Sequence, residues 1–269
     1  MQKFKSASVA VVLGAFAVVG TASAATCQNP AGFDAFLGQV RADAAQAGVS
    51  QRAISEGLSG VAMDPDVTRH DHAQGVFHQT LEQFSSRMIS KYRLTKGRQL
   101  IAKYKPTFDR IEAQFGVPAP IIVALWGLET DFGAYTGKFK TIPALATLAF
   151  DCRRSPYFQT ELIDALKLVQ RGDLSPSQMR GAWAGELGQT QFMPSSYLKY
   201  AVNYGGGRNL LHSVPDVLAS TANYLHSYGW QRGQGWDPGS ANFGVIQQWN
   251  KADVYSHTIA LFADRLAGK

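Results

Sequence analysis

Apolar residues recur along this chain at the three-and-four spacing of a helix, not at the alternation of a half-buried strand. Phe33, Phe36, Leu37 and Val40 form a first stripe, with Gly48 as a stop. Phe77, Leu81, Phe84 and Met88 form a second, and Ile101, Tyr104, Phe108, Ile111 and Phe115 a third, closed by Gly116. Pro118 opens VPAPIIVALWGLE, apolar on most faces and therefore expected to be a buried helix. Phe158, Leu162, Leu166 and Val169 predict an amphipathic helix that ends at Gly172. Ser175-Pro176-Ser177-Gln178 reads as a capping-box helix start, and Ser213-Val214-Pro215-Asp216 as a similar one with Asp in place of Glu. A last helix is expected from about Ala252 to Leu266. Strand signals are few, and the glycine-rich stretch from Gly229 to Gly244 reads as a small hairpin or as loops. With no repeat or low-complexity tract, the pattern predicts one compact, mainly α domain with little or no β-structure.

The first 24 residues stand apart from this pattern. Lys3 and Lys5 precede an apolar stretch from Ala7 to Gly20, which ends in Ala22-Ser23-Ala24. That order reads as a secretory signal peptide cleaved after Ala24. The apolar run is short for a membrane span, which needs about 20 residues. A lipid-anchoring reading of Cys27 fails on Thr26, which stands where a small residue is required. Processing leaves 245 of the 269 residues and lowers the formal charge from +6 to +4 through the loss of Lys3 and Lys5. The expected location is the periplasm. A mild basic surplus suits an acidic polymer partner but decides little. No Lys/Arg run points to nucleic acid. Cys27 and Cys152 are the only cysteines; after export they read as a disulfide, with two buried free thiols as the alternative.

Two stretches carry candidate chemistry. In Trp126-Gly127-Leu128-Glu129-Thr130-Asp131-Phe132-Gly133 a carboxylate ends an apolar helix beside two aromatic rings. Lost hydration raises the pKa of such a group, and a protonated carboxyl suits the general-acid task in sugar cleavage. These eight residues alone read equally well as a Glu that braces a neighbouring helix. Asp131, two residues on, points away from Glu129 and reads as a cap or a solvated residue. The second stretch, Gly181 to Ser196, interleaves glycines, amides and hydroxyls with Trp183 and Phe192. It suits a carbohydrate groove, although by composition alone it is only a helix-turn-helix junction. The six histidines show no HExxH spacing, and His70 and His72 read as exposed polar residues.

Taken together, VPAPIIVALWGLETDFGAYTGKF, ALATLAFD, GELGQTQFMPSSYLKYAV and ANYLHSYGW resemble, in order and near the expected spacing, four blocks of the lytic murein transglycosylase B family. The resemblance runs from about Val117 to Trp230 and resumes at Trp249–Leu266. It implies a lysozyme-like helical core over residues 25–269, needing no cofactor, that cleaves between N-acetylmuramic acid and N-acetylglucosamine in peptidoglycan glycan strands. The family's catalytic glutamate falls on Glu129, its substrate-contacting glutamine on Gln191 and an aromatic groove residue on Tyr224. Paired arginines credited with holding the glycan's peptide stem fall on Arg153 and Arg154. The family's Tyr/Asn pair falls on Trp249 and Asn250, and a further tyrosine on Tyr255.

Three departures stand out. A serine near the acid is replaced by Ala182. The family's calcium loop is reduced to Asn203–Asn209, one residue short and without carboxylates, so that only Asp216 remains as an acid and no metal is expected. A β-rich insertion has shrunk to roughly Gln231–Gln248, which loosens the placement of Asn250 and Tyr255. The implied scheme uses one carboxyl and leaves a 1,6-anhydro end. A lysozyme-type hydrolase would need a second carboxylate, for which Glu186 is the candidate; a non-catalytic cell-wall scaffold would need neither.

Overall fold

The computed structural model describes residues 24–73 and 79–269. Phe77 and the expected leader up to Ser23 lie outside the described residues. In chain order the helices are α1 (Phe33–Gln46), α2 (Gln51–Gly57), α3 (Pro65–His72), α4 (Leu81–Met88), α5 (Lys91–Lys103), α6 (Lys105–Phe115) and α7 (Ala119–Thr130). There follow α8 (Thr141–Phe150), α9 (Ser155–Arg171), α10 (Pro194–Tyr200), α11 (Val214–Ser227), α12 (Ala241–Trp249) and α13 (Asp253–Ala267). Among the described residues the only sheet pairs β1 (Phe139–Lys140) with β2 (Arg180–Gly181), antiparallel. The molecule is mainly α, as the periodicity predicts.

Polar residues start several of these helices. Ser50, Ser90, Ser213 and Ser240 accept a backbone N–H from the first turn, and Thr80 with Gln83 forms a complete capping box. Each such cap is worth about 1 kcal/mol over alanine. Glycines in the left-handed region end α6 at Gly116 and α9 at Gly172. The centre is α7, whose residues Ile121 to Leu128 are all buried. It packs against α5, α11 and α13, while α8 and α9 lie against each other and α9 also meets α1, α2 and α10.

Two sequence expectations need correction, and the alternative left open between Gly229 and Gly244 is decided. The stripe from Ile101 to Phe115 is two helices that meet at Tyr104, because Pro106 in the first turn of α6 has no N–H to continue the ladder. Ser175 starts no helix. Its N–H does donate to Gln178 Oε1 at 2.9 Å, but Thr141 N–H then donates to Met179 O at 3.0 Å and β2 begins at Arg180. The backbone after Gln178 is thus taken by the strand pair. Between Gly229 and Gly244 there is no hairpin; a loop closes and α12 begins at Ala241. Fully buried Asn242 closes that loop, donating to Gln231 O at 3.0 Å and Gln234 O at 3.1 Å and accepting Gln231 N–H at 2.7 Å.

Cys27 and Cys152 are joined, so the alternative of free thiols is discarded. The bond ties the segment before α1 to the turn between α8 and α9. Ala25 is fixed beside it: its N–H donates to Asp43 Oδ2 at 2.9 Å, and its carbonyl accepts Gln159 Nε2 at 2.6 Å. Among the described residues no single helix is long and apolar enough to cross a membrane.

Candidate active site

Glu129 stands in the last turn of α7, where the chain turns sharply. Asp131, Phe132 and Gly133 follow one another with φ of 50°, 61° and 85°. Phe132 folds back to set its ring edge-on against Trp126, 5.6 Å between centroids. A side chain at Gly127 would overlap the Phe132 ring at 2.7 Å, which explains why that ring needs glycine beneath it. Asp131 is a helix cap, as read from the sequence, and forms an ion pair with Arg93. Gln189 locks the turn to the second stretch. It accepts Trp126 Nε1–H at 3.0 Å on its side chain and the Thr130 hydroxyl at 2.5 Å on its carbonyl, and donates to Leu211 O at 2.9 Å. The second stretch is not a plain helix junction: Leu187 and Phe192 exchange backbone hydrogen bonds across a tight turn, with Gln191 at φ 54°.

The Glu129 carboxyl is half-buried at the wall of a cleft of about 560 Å³. The indole N–H of Trp249 and the hydroxyl of Tyr255 both donate to its Oε1, each at 2.8 Å. With Oε1 saturated by two donors, a proton on this carboxyl resides on Oε2. Burial pushes the Glu129 pKa up to about 7; the two hydrogen bonds oppose the shift and the charge of Glu186 adds to it. The site is therefore a carboxyl that exchanges a proton near neutrality, held by one oxygen and free at the other.

The residues matched by resemblance fall into four groups. Gln191, Asn250 and Arg154 line the same cleft as Glu129, together with Tyr157, Met193 and Lys251. Tyr224 borders an adjoining depression with Gln191 and Trp249; it is largely buried, and its hydroxyl donates to Gln248 O at 2.8 Å. Tyr255 meets the acid itself. Arg153 is brought to Asp71, which it binds through two nitrogens at 2.6 and 2.7 Å, and Arg154 pairs with the same carboxylate. The Gln191 NH₂ group donates to Gly188 O at 2.8 Å and Thr136 O at 3.1 Å, leaving its carbonyl oxygen to offer the cleft. His70 and His72 are exposed, and His72 Nε2 lies 2.8 Å from Asp151 Oδ2.

Residues 32–240 match the family described as "Transglycosylase SLT domain". The chain belongs to that family. One relative is the membrane-bound lytic murein transglycosylase B of Escherichia coli K12, 39% identical over 133 residues, 49% of this chain and 37% of that protein. The chain thus aligns with a little over a third of that relative's length. Among solved structures, SltB3 of Pseudomonas aeruginosa in complex with NAG-anhNAM-pentapeptide superposes with a TM-score of 0.82 at 28% identity, covering 88% of this chain and 80% of that one. The E. coli lytic transglycosylase Slt35 in complex with calcium gives 0.75 at 25%, covering 86% and 92%. The SLT match ends at residue 240, so the Glu129 partners Trp249 and Tyr255 come from beyond the matched segment.

Among the described residues no group of three or more His, Cys, Asp or Glu side chains could hold a metal ion. Asp216 is fully buried, and its carboxylate accepts backbone N–H from Tyr204 at 2.6 Å, Gly206 at 3.2 Å and Asn209 at 2.9 Å. A calcium ion wants about six to eight oxygen ligands. In this loop the carboxylate is turned to amide donors, and the residues do not fit the metal.

Sequence reading missed Gln189, Tyr157, Met193 and Lys251, and gave Trp249 no role. Nothing near Gln189 in the chain marks it; only its contacts with Trp126 and Thr130, some 60 residues earlier, do so. Trp249 was detectable as an aromatic in the place of the family's tyrosine, but its donor is the indole N–H instead of a hydroxyl.

Proposed function

We propose that this protein cleaves peptidoglycan glycan strands without water, using Glu129 as both acid and base. The observation that carries the reading is a half-buried carboxyl, poised near neutrality, with one oxygen fixed by Trp249 and Tyr255 and the other free at a polar cleft. Protonated Glu129 gives its proton to the glycosidic oxygen, and the bond from that oxygen to the anomeric carbon of N-acetylmuramic acid breaks. The substrate's N-acetyl oxygen stabilises the anomeric centre, an exception to the two-carboxylate rule. The Glu129 carboxylate then takes the proton of the same sugar's 6-hydroxyl, whose oxygen closes on the anomeric carbon. A 1,6-anhydro end forms and the acid is regenerated. Gln191, Asn250 and Tyr224 are the proposed glycan contacts, Arg154 is the proposed contact to the peptide stem, and Arg153 holds Arg154 in place through their shared Asp71.

The test is Glu129→Gln, which keeps size and hydrogen-bond acceptor but removes the transferable proton. Turnover of purified sacculi is expected to fall by about 100-fold or more with the fold intact. A folded variant that keeps most of its turnover sinks this assignment.

The working form is read as residues 25–269, a single domain, in the periplasm. The Cys27–Cys152 bond supports an oxidising compartment. The Ala25 N–H beside Asp43 supports cleavage after Ala24, which would turn that amide into an ammonium facing a carboxylate. Intact-mass measurement of the exported protein checks both; a mass that includes residues 1–24 or two free thiols contradicts the reading.

A further inference from the structure

Glu186 shares the cleft with Glu129 and has no part in the scheme above. It immediately precedes the tight turn closed by the Leu187–Phe192 bridge, and its backbone is pressed so closely on Gly181 that a Cβ there would overlap Glu186 O at 1.6 Å. The side chain is therefore delivered by rigid backbone. Its Oε2 is shut off from bulk solvent and has no hydrogen-bond partner among the described residues. Burial raises the pKa of this carboxyl, and the amides of Glu186 and Ala184 and the charge of Arg154 work against that rise.

A buried acceptor without a donor is destabilising, and native proteins leave few of them. One retained at the wall of a substrate cleft is matched when a donor arrives with the substrate. Sugars supply such donors as hydroxyls and N-acetyl N–H groups. We propose that Glu186 is a substrate-binding residue of this cleft, whose carboxylate rotates about its last side-chain bond when substrate arrives, so that the unpartnered oxygen accepts a hydrogen bond from a glycan hydroxyl or amide N–H. The assignment rests on the glycan reading of the cleft. It differs from a hydrolase's use of the same carboxylate, which would be to activate water.

The experiment is steady-state kinetics on a purified peptide-free GlcNAc–MurNAc tetrasaccharide with Glu186→Leu and Glu186→Gln. Loss of the acceptor in Glu186→Leu is expected to raise KM about tenfold or more while kcat changes by less than about threefold. Glu186→Gln keeps an acceptor oxygen without the charge, and its KM is expected between the two. Should the leucine variant not fold, Glu186→Ala carries the same KM expectation. Titration calorimetry in a Glu129→Gln background should show the matching rise in Kd. A folded Glu186→Leu with unchanged KM and Kd overturns the proposal, and so does a Glu186→Gln whose kcat collapses at constant KM, the mark of a water-activating base. Failure of the glycan reading itself is separable, since the unmodified protein would then neither bind nor cleave the tetrasaccharide.

Discussion

At the scale of single residues, the site turns on a carboxyl that ordinarily titrates near 4.5 and here holds its proton to about 7. Between those values the folded chain binds more protons at Glu129 than the unfolded chain does. Stability contributed there is present at low pH and declines as pH rises toward 7. Glu129→Gln abolishes this titration while still accepting from Trp249 and Tyr255. Its melting temperature should exceed that of the unmodified protein above pH 7 and approach it toward pH 4.5, on the order of 1–3 kcal/mol of relative stability at pH 8. An offset equal at pH 5 and pH 8 contradicts a poised acid. The arginine pair divides at the same scale. Burial pushes the Asp71 carboxyl up, but Arg153 and Arg154 outweigh it and hold the pKa below the ordinary value. Arg154 alone lines the cleft, so Arg154→Ala should lower activity on peptide-bearing glycan more than on peptide-free glycan, whereas Arg153→Ala should act mainly on stability. Equal losses on the two glycans for Arg154→Ala would argue against peptide-stem recognition. Glu129 was legible in the sequence because its own neighbours, Trp126 and Phe132, announce its burial. Trp249 and Tyr255 were picked out only by resemblance and not as its hydrogen-bond partners, because they lie 120 and 126 residues away and only folding brings them to it.

At the scale of elements, most helices were readable because their apolar stripes, caps and terminal glycines agree. Where reading failed, a local rule was overridden. Pro106 divides a continuous stripe, and the pairing of Phe139–Lys140 with Arg180–Gly181 pre-empts the capping box at Ser175. Strands of two residues are too short to show any alternation, so this pair left no trace in the pattern. The Asn203–Asn209 loop shows the opposite case. Its lack of carboxylates was visible, and the structure supplies the physical substitute, the buried Asp216 carboxylate that gathers three backbone amides. A ligand at about 100 times its dissociation constant stabilises by roughly 2.7 kcal/mol. Melting curves in calcium and in chelator are therefore expected to superimpose, and a reproducible rise with calcium would contradict the amide-filled loop.

At the scale of the whole molecule, α7 delivers one end of the site from the middle of the core and α12–α13 return to close it. The disulfide holds the segment before α1 to the turn that carries Arg153 and Arg154. Closing a loop of 125 residues contributes on the order of 3–5 kcal/mol, as an upper range. This long-range closure is also why the family match, which stops at residue 240, does not contain the complete surroundings of the acid. In the proposed reaction a single carboxyl cleaves the glycan by internal attack of the sugar's own hydroxyl. Mass analysis of the fragments released from purified sacculi tests it most directly. Muropeptides with 1,6-anhydro ends are expected, each lighter by one water than a hydrolytic product; reducing-end fragments, released by the unmodified protein at a rate that Glu129→Gln abolishes, would contradict that reaction.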